Sequence, residues 1–84
     1  MLSREGCPFC ANSVPIMKQL SREIPNINWY ILDLGRDPKK AGWFTGQLEI
    51  DGVPTFVVLD GRKIIDVGVG AQTYAQLRKM AMRL

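Results

Sequence analysis

Histidine is absent from these 84 residues, and cysteine occurs only twice, at Cys7 and Cys10. The missing imidazole removes the usual general base near neutral pH and the commonest metal ligand. A structural zinc site needs four ligands, so one copy of the chain does not build one from two thiols. No apolar run approaches the roughly 18 residues of a membrane-spanning helix. No basic-then-apolar leader opens the chain, and the expected compartment is the cytoplasm. Charge of one sign is not concentrated either. The 11 basic and 8 acidic residues give a net +3, but acids at Glu5, Glu23, Asp33, Asp37, Asp60 and Asp66 interrupt any basic stripe. A nucleic-acid footprint needs clustering on one face, so no nucleic-acid partner and no membrane partner are expected.

What is present is an ordinary globular composition, 46% hydrophobic and 23% charged, too apolar for a disordered chain. Without repeats, linkers or low-complexity segments, residues 1–84 read as a single domain with a thin core. Pro8 to Ile24 reads as a helix, opened by proline at its first position, with Val14, Met17, Leu20 and Ile24 as its apolar stripe. Pro15 falls inside it and is expected to kink it. Asn28 to Leu34, rich in β-branched and aromatic residues, predicts a buried strand. Asp37 and Pro38 open a second helix running towards Leu48, weakened by Gly42 and Gly46. Val53 to Asp60 predicts a strand, turned at Asp60–Gly61 into Lys63 to Val67, a hairpin. Tyr74 to Leu84 predicts a last helix, with Thr73 and Gln76 at the spacing of a capping box. With a strand stub at Met1 to Ser3, this order predicts a mixed α/β sheet: a right-handed parallel crossover followed by an antiparallel hairpin.

The chemistry concentrates in Gly6-Cys7-Pro8-Phe9-Cys10. Cys7 falls at or near the N-cap of the first helix, and Cys10 lies one turn in, near enough for the sulfurs to join. Unpaired N–H groups of the first turn and the positive end of the helix dipole face the Cys7 sulfur and favour its thiolate. Such positions bring a cysteine pKa from about 8.5 to between about 3.5 and 7.5. That makes Cys7 the candidate nucleophile and the more shielded Cys10 the candidate resolving thiol. Competing readings are a structural disulfide, which would close a very short loop and stabilise little, and a metal site shared between two chains. Phe9, between the cysteines, is expected on the surface as apolar docking area. Trp29 is expected in the core, Trp43 with Phe44 packing the second helix onto the sheet, and Met80 and Met82 as filler.

Val53-Pro54 places a proline at the start of a strand, where a missing N–H must be tolerated. A cis bond there would leave the Val53 backbone free to pair with an extended peptide or glutathione. From composition alone the trans isomer is favoured, since only about one X–Pro bond in twenty is cis.

Together these residues resemble the thioredoxin superfamily over nearly the whole chain. Cys7-Pro8-Phe9-Cys10 is similar to the Cys-Pro-Tyr-Cys tetrapeptide of glutaredoxins, and Arg4 stands where glutaredoxins often carry a lysine. Pro15 matches the kink proline of the thioredoxin active-site helix. Ile50-Asp51-Gly52-Val53-Pro54-Thr55 resembles the segment holding the cis-proline, and Val69-Gly70-Ala71 before Thr73 resembles the approach to the last helix. Small hybrid redoxins, thioredoxin-like in sequence at glutaredoxin size, are the nearest likeness. The resemblance implies a thioredoxin fold: a four-stranded mixed sheet with a short first strand, flanked by three helices. It implies protein-disulfide reduction by dithiol exchange, with Cys7 attacking, Cys10 resolving, and Pro8, Phe9, Val53, Pro54 and Arg4 meeting the substrate. The partners implied are disulfide-containing proteins and a reductase or glutathione as electron donor; the protein would act as a monomer without a cofactor. A metal- or iron–sulfur-cluster-binding module, shared by two chains through Cys7, is the alternative.

The chain also departs from both relatives. Gly6 replaces the tryptophan that thioredoxins place before the first cysteine. Their buried acid would fall around or before Met1 and has no counterpart. Ala71-Gln72-Thr73 replaces the acidic pair with which glutaredoxins hold glutathione, which weighs against its efficient use.

Overall fold

Proline opens two of the helices, each behind a residue whose side chain caps the first turn. The computed structural model describes residues 1–84. In it α1 (Pro8–Glu23) follows Cys7 in extended conformation, and α2 (Pro38–Gln47) follows Asp37, whose carboxylate accepts the Lys40 N–H at 3.2 Å. α3 (Tyr74–Ala81) starts with a complete capping box: Thr73 Oγ1 accepts from the Gln76 N–H, and the Gln76 side chain accepts from the Thr73 N–H. Each cap satisfies donors that the first helical turn cannot pair internally.

The strands are β1 (Leu2–Ser3), β2 (Leu32–Asp33), β3 (Thr55–Asp60) and β4 (Lys63–Val69). They form one sheet in the order β2-β1-β3-β4. β1 runs parallel to β2, joined through α1, and antiparallel to β3; β3 and β4 form an antiparallel hairpin. Gly61 takes φ +61 in the hairpin turn, a left-handed conformation that favours glycine. The mixed four-stranded sheet with its short first strand and three helices is the architecture expected.

Several boundaries differ from the sequence reading. Of the strand predicted over Asn28 to Leu34, only Leu32–Asp33 is in a ladder, because β1 offers just Leu2 and Ser3 as partners. β3 begins at Thr55, after Val53-Pro54, and β4 runs two residues past Val67, since Thr55 pairs with Val69. The last helix ends at Ala81 rather than Leu84. There the Arg83 and Leu84 N–H groups donate to the Met80 and Ala81 carbonyls, three residues back, which tightens the chain out of the α-helix. α1 runs on through Pro15 and is capped by Ile24.

The core joins Met17 and Leu20 of α1, Phe56 of β3, and Leu77 and Met80 of α3. Along α1 the buried face is Cys10, Ser13, Met17 and Leu20, at steps of three and four, leaving Val14 and Ile24 at its half-buried margin. Leu20 is fully buried, a contribution of about 1.5–3 kcal/mol. Trp29 packs on the core rim and donates from its indole nitrogen to the Ile24 carbonyl at 3.2 Å. Trp43 and Phe44 meet edge to face with ring centres 4.9 Å apart. Met80 belongs to the core, whereas Met82 is exposed.

Candidate functional site

The site is built where β1 gives way to α1. Gly6 adopts φ +79, and the Cys7 N–H donates to the Arg4 carbonyl at 3.3 Å, a turn that delivers Cys7 to the N-cap. Glycine is the residue that takes this left-handed conformation without steric cost. From the N-cap, the Cys7 sulfur accepts the Cys10 backbone N–H at 3.1 Å. Cys7 and Cys10 are joined as a disulfide, their Cα atoms 5.2 Å apart. The two sulfurs differ in access. Cys7 is half-buried at the head of the helix, whereas Cys10 is 4% exposed and packs inward from the next turn. A partner can therefore reach the first sulfur and not the second.

Beside the pair lies an open cleft of about 470 Å³, lined by Arg4, Cys7, Cys10, Val14, Met1 and Ile31 among others. Arg4 is exposed and has no carboxylate within ion-pair distance, so its positive charge is uncommitted beside the sulfurs. Pro8 opens the helix, and Phe9 is 59% exposed next to the disulfide. Val53 and Pro54 do not line this cleft. Their position follows from register: Leu2 pairs with Thr55 antiparallel, which brings the start of β3 to the sheet end from which β1 leads to Cys7. The Val53–Pro54 bond is cis, Pro54 is buried, and its carbonyl accepts the Gly70 N–H at 2.8 Å. Val69, just before, is 63% exposed.

Two cleft residues lay outside the sequence reading. Ile31 was expected inside a buried strand but is 50% exposed, and Met1 brings its amine into the fold, where it donates to the Tyr30 carbonyl at 2.7 Å. Desolvation by burial lowers that amine from 8.0 to about 6. Parallel register was the available signal: with Leu2 opposite Leu32, Met1 falls opposite Ile31. No third cysteine, histidine or carboxylate gathers with the pair, so a metal reading still requires ligands from a second chain.

The fold is thioredoxin-like, and its site is a Cys-x-x-Cys pair at a helix N-terminus. Among solved structures, the chain is similar to a thioredoxin from Fasciola hepatica, with a TM-score of 0.82 and 26% identity, over 98% of this chain and 74% of that one. No protein-family model matches the chain, and no curated protein matches it in sequence. The thioredoxin-like structure with its cysteine pair supports a thiol–disulfide redox function.

Proposed function

We propose that the protein reduces protein disulfides by dithiol exchange. The reading is carried by one observation: in a thioredoxin-like fold, the accessible Cys7 sulfur sits at the N-cap of α1 and accepts the Cys10 N–H, with the Cys10 sulfur buried one turn behind. In the reduced protein the Cys7 thiolate attacks one sulfur of a substrate disulfide. A Cys7–substrate bond forms, the substrate S–S bond breaks, and the departing substrate thiolate takes up a proton. Cys10 then gives up its proton and attacks the Cys7 sulfur. The Cys7–Cys10 bond forms, the second substrate thiol leaves, and two electrons have passed to the substrate. A dithiol or thiol donor, a reductase or glutathione, returns the pair to the reduced state.

The surroundings suit an extended polypeptide substrate. Phe9 offers apolar contact beside Cys7, Pro8 holds the turn, and Arg4 supplies positive charge next to the attacking sulfur. Val53, before the cis bond to Pro54, offers main-chain hydrogen-bonding groups at the same sheet end. Insulin reduction tests the roles directly. Cys7→Ser should abolish it, and Cys10→Ser should accumulate a mixed disulfide through Cys7. A Cys7→Ser variant reducing insulin at the wild-type rate would overturn the assignment. Parallel assays coupled to thioredoxin reductase and to glutathione with its reductase identify the donor.

A further inference from the structure

β4 is the edge of the sheet, and two side chains lie on its open backbone. The Gly70 N–H donates to the Pro54 carbonyl. Antiparallel alternation therefore turns the main-chain groups of Gly68 and Asp66 towards β3, and those of Val67 and Val69 outward. Asp66 Oδ1 accepts the Val67 N–H at 2.9 Å, and Gln72 Nε2 donates to the Val69 carbonyl at 3.2 Å. Both covers are anchored: Arg83 Nε stands 3.3 Å from Asp66 Oδ2, and the Gln72 amide also reaches the Gly70 carbonyl. The Val67 carbonyl and the Val69 N–H are left open to solvent.

The covered groups are the ones an antiparallel neighbour needs. In an antiparallel pair one residue exchanges both bonds with the residue opposite. Val67 has no free donor and Val69 no free acceptor, so neither position can do this. Two copies of the edge meeting about Gly68 would set Val67 of one against Val69 of the other, and half of their bonds would join groups already taken. A parallel neighbour uses the other half. One of its residues, lying opposite Gly68, donates to the Val67 carbonyl and accepts from the Val69 N–H. The open stretch is bounded on both sides. Val58 pairs with Asp66 but Leu59 with Ile64, so Ile65 is an extra residue that breaks the alternation. At the other end Gly70, at φ +84, turns the chain away.

Side chains add to the selection. Val67 and Val69 share one face and are 37% and 63% exposed, so the incoming residues beside them are apolar. On the opposite face a side chain at Gly68 would meet Met80 and Gln72, which leaves room for only a small residue next to it. Arg62 and Lys63, at the start of β4, are exposed and free of ion pairs, so they favour an acid where a parallel segment first passes. We propose that the β4 edge docks one extended segment of another protein, parallel to β4. A small residue lies opposite Gly68, apolar residues flank it, and an acid stands about four residues upstream. Because Thr55 pairs with Val69, the downstream end of the segment points to the sheet end that carries Cys7.

The test titrates the full oxidised chain with the peptide acetyl-Glu-Thr-Thr-Val-Ser-Val-amide and follows backbone amides by NMR. Millimolar peptide should shift the Val69 amide saturably. Methylating the serine nitrogen removes the donor to Val67 and should weaken binding at least about fivefold. Lysine in place of the glutamate should also weaken it. A nitroxide at the peptide N-terminus should broaden Lys63 and Ile64 and leave Gly70 sharp. Asp66→Ala frees the Val67 N–H for antiparallel pairing, so with this variant the same label should broaden Gly70 as well. The proposal is overturned by the absence of a saturable shift at about 10 mM peptide, by an N-methyl or lysine peptide that binds as well as the parent, or by broadening of Gly70 in the unaltered chain. An Asp66→Ala variant that keeps the one polarity overturns it too, as does sedimentation showing that copies of the chain pair through this edge instead. The peptide carries no disulfide, so failure here is distinct from failure of the redox assignment.

Discussion

Reduced Cys7 should ionise below the ordinary thiol range, and the Cys10→Ser variant isolates that ionisation. The magnitude follows from what meets the sulfur. The Cys10 N–H lies 3.1 Å from it, and a hydrogen bond to a charged acceptor is worth about 1.5–3 kcal/mol. The N-terminus of α1 adds about 0.3–1 kcal/mol. Partial burial of Cys7 opposes both by about 1 kcal/mol. The net of about 2 kcal/mol favours the thiolate and holds the thiol below its ordinary value of about 8.5. Serine at position 10 leaves the backbone donor in place and removes the second thiol. Ultraviolet thiolate absorbance of the reduced variant then reports Cys7 alone, with the double variant Cys7→Ser/Cys10→Ser as the blank. Stability must follow the same shift. A thiol depressed in the folded state stabilises fully above its unfolded value near 8.5, and that stabilisation is lost as pH falls through the lowered folded value. Urea unfolding of reduced Cys10→Ser should therefore show about 2 kcal/mol more stability at pH 9 than at pH 6 from this group. A thiolate midpoint at or above 8.5 would refute the argument that the helix N-terminus activates Cys7.

Three further outcomes probe the scaffold. Leu20→Ala removes a side chain that is fully buried in the core cluster. It should cost about 3–5 kcal/mol in urea unfolding, a large share of the roughly 4–13 kcal/mol expected for a chain of this size; a loss below about 1 kcal/mol contradicts that core. Thr73→Ala deletes one half of the capping box and should lower stability by about 1 kcal/mol, seen as a fall in Tm of about 4–8 °C. The Tyr74 hydroxyl donates to the Glu23 carboxylate, and that hydrogen bond raises the phenol above its ordinary 10.0. The bond stabilises below the ordinary value and is lost as pH climbs through the raised one, so spectrophotometric titration should show Glu23→Gln moving Tyr74 back down.

Local signals in the sequence carried most of the fold. Cys7, Asp37 and Thr73 act as caps within three residues of the donors they satisfy, and the Asp60–Gly61 turn is set by its own backbone. These interactions need no distant partner, and each is legible from a few adjacent side chains. The limits of β2 are different in kind. Asn28 to Ile31 have the residues of a buried strand, but ladder formation depends on how much of β1 lies alongside, a pairing between Leu2 and Leu32 and between Ser3 and Asp33, far apart along the chain. The same dependence hid Ile31 and Met1 from the candidate site. Within α1 the apolar period gave the right face but the wrong centre, because Cys10 and Ser13 are small enough to occupy the buried positions while Val14 rests at the margin. The cysteine pair was legible because its geometry is that of a single helical turn.

That single turn has a mechanical consequence. The spacing between the two cysteine Cα atoms is set by α1 itself, and the N–H that meets the Cys7 sulfur belongs to the helix backbone. Joining the two sulfurs therefore draws on a spacing that the helix backbone already holds. A thiol–disulfide pair built this way has its geometry set by one turn of backbone, ahead of the core that Met17 and Leu20 pack further along the same helix.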